Sequence, residues 1–82
     1  MNELGGGRMS NIAAAIYLHR YPDAVALRLR TGRVHLVDGG RPECGSLLPQ
    51  TNWQLVVFDG NGDVRWCYSC IGNAIERMEQ KE

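Results

Sequence analysis

Residues 25–37 constrain the fold more than any other part of the chain. Val25, Leu27 and Leu29 alternate with Ala26, Arg28 and Arg30, and after Thr31-Gly32 comes Arg33-Val34-His35-Leu36-Val37. Period-2 alternation marks a strand with one buried face, and two such runs across a two-residue break predict an antiparallel hairpin. A tight turn at Thr31-Gly32 sets Leu29 opposite Val34, Leu27 opposite Leu36 and Arg28 opposite His35. One face is then apolar and the other basic. Threonine fits poorly where a primed turn needs positive φ, and a longer loop shifts this register.

The remaining segments fall around that hairpin. Residues 38–52 read as a loop, broken by Gly39, Gly40, Pro42, Gly45 and Pro49. A second hairpin is predicted from 53–58 and 64–67 around Asp59-Gly60-Asn61-Gly62-Asp63, with Phe58 beside Val64 and Val56 beside Trp66. Its first strand is apolar on both faces, which predicts a central place in the sheet. The acids of this loop do not make an EF-hand, because Val64 and Cys70 stand where that loop needs glycine and glutamate. Ile71, Ala74, Ile75 and Met78 share one face of a helix running from about Ser69 or Cys70 to the C-terminus. Residues 11–21 admit two readings. Ser10 with Ala13, Ala14 and Ala15 suits a capped helix, whereas Ile16-Tyr17-Leu18 suits a strand, and the strand is expected. Gly5-Gly6-Gly7 makes residues 1–9 a flexible leader. The fold class is α+β: one domain over residues 10–82, an antiparallel sheet of four to five strands with one C-terminal helix packed on it.

Eighty-two residues allow one modest core and leave no room for a doubly wound sheet or an α/β barrel. The formal net charge is zero, but residues 1–41 hold six arginines against Glu3, Asp23 and Asp38, a net of +3. Residues 42–82 carry the opposite excess, so neutrality hides a charge split along the chain. No stretch approaches the apolar run of a membrane span, and the first eight residues hold no apolar signal core. Three cysteines are an odd count, which points to a reducing, cytoplasmic setting rather than a disulfide framework.

The cysteines are also the chief chemical feature. Cys67-Tyr68-Ser69-Cys70 is a C-x-x-C where a strand meets a helix, a spacing that lets both sulfurs reach one metal while the helix N-terminus favours thiolate. Upstream, Arg41-Pro42-Glu43-Cys44-Gly45 resembles the C-P-x-C-G knuckle of zinc-ribbon and treble-clef domains, with Arg41 in place of the first cysteine. In those families the second cysteine pair lies at a helix start after a hairpin, as Cys67 and Cys70 do here. The resemblance covers roughly residues 35–80 and implies zinc on Cys44, Cys67 and Cys70. A zinc then needs a fourth ligand; His35 is the first candidate and His19 the second, and neither belongs to the knuckle pattern. Without metal, the three cysteines read as small buried hydrophobes, with no cofactor, or Cys67 and Cys70 as a redox pair. A thioredoxin-like enzyme is disfavoured, because only twelve residues follow Cys70.

No nucleophile elbow, H-E-x-x-H or phosphate-binding glycine loop is present. The expected function is therefore that of a small non-enzymatic protein-binding module docking on a larger host protein. Phage and mobile-element inhibitors, including anti-CRISPR proteins, are often of this make. Contact is expected through Arg28, Arg30, Arg33 and His35, or through Glu76, Glu79 and Glu82 on the last helix. The alternative is a degenerate zinc-binding module contacting nucleic acid through its arginine face.

Overall fold

The computed structural model describes residues 6–29, 32–45 and 53–80. They form helix α1 (Gly6–Arg20), strands β1 (Ala24–Leu29), β2 (Val34–Asp38), β3 (Arg41–Pro42) and β4 (Trp53–Val56), and helix α2 (Tyr68–Gln80). The sheet is antiparallel with order β3-β2-β1-β4. The α+β class and the C-terminal helix agree with the expectation; an N-terminal helix is added to it.

That helix corrects the strand expected over 11–21. Ser10, Ala13, Ala14 and Tyr17 are all buried, and a 10-13-14-17 spacing is one face of a helix. Alanines let α1 lie close to Ala24 and Ala26 of β1, while Ile12 and Ile16 remain exposed. The apolar run Ile16-Tyr17-Leu18 is thus split between two sides of a helix. The helix begins at Gly6, inside the stretch assigned to the leader.

β1 and β2 pair one residue away from the expected register, with Leu27 opposite His35 and Arg28 opposite Val34. The shift follows from a connection longer than Thr31-Gly32, since Arg28↔Val34 is the last pair before the turn. A one-residue slip exchanges faces. Ala24, Ala26, Val34 and Leu36 now line the helix side, where they meet Tyr17, Trp66, Cys70, Ile71 and Ala74 in one core. Arg28 and His35 therefore sit on opposite faces rather than on one basic face.

The second hairpin does not form. β4 pairs with β1, from Ala26↔Val56 to Leu29↔Trp53, and is an edge strand with Leu55 exposed rather than a central one. Trp66 instead bridges Val34 on the far side of β2, in parallel. Phe58 and Trp66 still meet edge-to-face at 5.0 Å, by tertiary packing rather than along a ladder. Residues 59–63 turn through Gly60 and Gly62, and Gly62 O accepts from Asn11 Nδ2 of α1. The Trp66 indole N–H donates to Asn11 Oδ1 at 2.7 Å, which satisfies the one polar atom of a buried ring.

The expected loop over 38–52 contains a strand, β3. Gly39 and Gly40 both have positive φ (65° and 81°), as a two-residue type I′ turn requires. This turn folds Arg41 and Pro42 back on Asp38 and Val37.

Leu36 is wholly buried at the centre of this core. Leu36→Ala is expected to cost about 2–5 kcal/mol of stability. Urea denaturation reads it directly, and an unchanged midpoint contradicts this placement.

Candidate metal centre

Three local structures deliver four donor atoms to one point beside β2. His35 is on β2 itself. The type I′ turn sends the chain back along the strand, Glu43 N donates to Leu36 O at 2.8 Å, and Cys44 arrives beside His35. On the same edge, Val34 N donates to Arg65 O (2.7 Å) and Cys67 N to Val34 O (2.9 Å), which brings the next segment alongside. Cys67 O accepts from Ile71 N at 3.0 Å, the first bond of the last helix. Cys67 is thus the N-cap of α2, and Cys70 lies one turn further on.

The donor atoms of His35, Cys44, Cys67 and Cys70 all lie within 4.8 Å of one another, and the four can hold a metal ion. His35 Nδ1 faces two sulfurs, Cys44 Sγ at 3.7 Å and Cys70 Sγ at 3.5 Å. A tetrahedral zinc with bonds of about 2.3 Å to sulfur and 2.0–2.1 Å to nitrogen has N···S edges of roughly 3.6 Å. The two distances straddle that value. The three cysteines form no disulfide.

Burial tunes the set. Cys70 is enclosed by the core, and desolvation pushes its thiol up to about 12. A lone thiol there is held in its protonated form. A dication reverses the balance, because metal–thiolate bonding replaces the lost water. Burial also lowers the His35 imidazole below its usual range, favouring the neutral ring that a metal requires. The dipole of α2 adds its positive end at Cys67 and Cys70.

Four convergent protein donors leave no open position on a tetrahedral ion, the arrangement of structural rather than catalytic zinc. His19, the second candidate for a fourth ligand, is exposed in the last turn of α1 and is not among the four.

The predicted contact residues are dispersed. Arg28 Nη2 donates to Gln54 Oε1 (3.2 Å), and Arg33 Nη1 donates to Trp66 O (3.1 Å) with its guanidinium 4.9 Å from the Tyr68 ring centroid. His35 belongs to the cysteine cluster. Glu76 and Glu79 are exposed on α2. Arg30 and Glu82 lie outside the described residues.

A different set of side chains escaped the sequence reading. Tyr17 donates to the Glu43 carboxylate, and Arg77 Nη1 donates to Glu43 Oε2 (2.6 Å) and Asp38 Oδ2 (3.0 Å). The Arg77 guanidinium also lies 4.2 Å from the Tyr21 ring centroid. Burial and the hydrogen bond to Glu43 push the Tyr17 phenol up, so it remains a donor. These residues come from four segments and share no motif; the one legible signal was the Gly39-Gly40 pair, a hairpin turn that fixes the approach of Glu43 and Cys44.

No family model matches the chain, and no curated protein or solved structure is significantly similar to it. The fold and the site together define a small α+β domain with a cluster of one histidine and three cysteines at the edge of its second strand. No helix among the described residues is long and apolar enough to cross a membrane.

Because the turn delivers Cys44, replacing Gly39 and Gly40 together by alanine is expected to do two things. Stability falls by about 1–2 kcal/mol per strained residue, and metal affinity falls with it. Calorimetry and a chelator competition separate the two; full retention of affinity counts against the turn's role.

Proposed function

We propose that this chain is a non-enzymatic protein-binding module whose fold is stapled by one structural zinc ion on His35, Cys44, Cys67 and Cys70. The observation that carries the reading is the convergence of those four donor atoms within 4.8 Å from three separate stretches of sequence. Soft sulfur and imidazole donors select zinc among common divalent ions, and the two His35–sulfur distances suit a tetrahedral N···S edge. A domain of this size gains much from such a staple, since its hydrophobic core alone supplies little surplus stability.

Two observations support a protein partner. Met9, Ile12 and Ile16 of α1, and Leu55 and Val57 in and just after β4, are exposed apolar side chains, which favour docking on another apolar surface. The arginines that a nucleic acid needs as a continuous basic face are instead engaged locally, Arg28 with Gln54 and Arg33 with Trp66 and Tyr68.

Protein purified without chelator is expected to carry about one equivalent of zinc, as structural zinc is tightly held. Cys70→Ser and His35→Ala should each reduce that content, and chelation should abolish the cooperative thermal transition. Elemental analysis finding less than about a tenth of an equivalent, with none taken up on adding zinc, removes the metal from the reading.

A further inference from the structure

We propose that Asn73 and Arg77 are positioning residues for the metal, holding the Cys44 turn against the same helix that carries Cys70, and that Glu43 thereby links metal occupancy to the docking of α1. This rests on the zinc reading above and adds residues to it that do not touch the ion.

Glu43 directly precedes Cys44 and is gripped at each of its polar groups. Its N–H donates to Leu36 O on β2. Its carbonyl accepts from Asn73 Nδ2 at 2.7 Å. Its carboxylate accepts from Arg77 Nη1 at 2.6 Å and from the Tyr17 hydroxyl. Asn73 lies three residues beyond Cys70 and Arg77 seven, so both project from α2 one and two turns after the buried sulfur. The peptide that joins Glu43 to Cys44 is therefore tied to α2 by bonds that do not involve the four donor atoms, and with it the path of the Cys44 side chain. Knuckle cysteines normally come in pairs on one turn; here Arg41 stands at the first place and is exposed. A lone cysteine on a turn needs another restraint to stay at ligand distance, and the Asn73 and Arg77 bonds supply it.

Tyr17 extends the chain of contacts into α1. It is wholly buried, and its hydroxyl meets both Glu43 and Arg77 Nη1, the latter at 3.4 Å. Coupling between sites is reciprocal: if the Glu43 cluster strengthens metal binding, metal must strengthen the docking of α1 through that cluster. Asp38, on β2, is the second carboxylate on Arg77 and holds the guanidinium in place when it turns to Glu43.

The test compares zinc affinity, by chelator competition, across Asn73→Ala, Arg77→Ala, Arg77→Lys, Tyr17→Phe and a control, Val56→Ala, which thins the core beside β4. Asn73→Ala and Arg77→Ala are expected to weaken zinc about 10–100-fold, as loss of outer-shell partners does elsewhere, with partial recovery in Arg77→Lys. The control is expected to keep its affinity at a matched loss of urea stability. Cobalt(II) at saturating concentration should show one thiolate's share of the charge-transfer band lost in Asn73→Ala. Zinc added to wild type should slow amide exchange around Tyr17, and less so in Tyr17→Phe. Wild-type affinity in both alanine variants, or a loss no greater than in the control, overturns the positioning role alone. A wild-type protein that takes up no metal overturns this role and the zinc reading together.

Discussion

β2 is hydrogen-bonded along both edges, and the rest of the molecule is placed by those bonds. β1 covers one edge over its whole length; the other is shared between β3 at its C-terminal end and the segment at Trp66 near its start. A strand of only five residues thus gathers residues 24–29, 41–44 and 65–67. Strand pairing fixes position to a fraction of a residue, since a slip of one exchanges the faces. That accuracy is what allows a histidine on β2 to find sulfurs from two different neighbours.

The core made on this frame is small. Alanines at 13, 14, 24, 26 and 74 bring helices close to the sheet but bury little apolar area each, and Trp66, Tyr17 and Leu36 fill most of the space. The polar cluster of Tyr17, Glu43, Arg77 and Asp38 sits at the boundary of the core, where Arg77 remains partly solvated. An ion pair so placed adds little stability by itself, but its geometry fixes direction, which suits orientation of a turn more than consolidation of a fold.

Much of this was legible from residue order. The hairpin at 25–37, the helix after Cys70 and the set of Cys44, Cys67, Cys70 and His35 follow from alternation, helical spacing and the chemistry of thiols and imidazole. The misplaced elements share a cause. Ile16-Tyr17-Leu18 has strand propensity, but Ala13 and Ala14 are the residues that fit against β1, so packing overrode local preference. The run at 53–58 and the run at 64–67 look like a hairpin because they are adjacent; each instead found a free edge on a different strand of the central pair. Gly39-Gly40 reads as a breaker by composition, whereas positive φ at both residues makes it a turn that continues the sheet.

The order of residues thus singled out the histidine and cysteines that the fold brings together, the antiparallel strands around 25–37, and the apolar face of the last helix. These are properties of composition and period, which act within a few residues. The register of β1 on β2, the side of the sheet to which Trp66 returns, and the meeting of Glu43 with Arg77 and Tyr17 were decided only in three dimensions. The contacts among Tyr17, Glu43 and Arg77 join residues 26 to 60 positions apart, where the best global packing, and no local pattern, selects the partner.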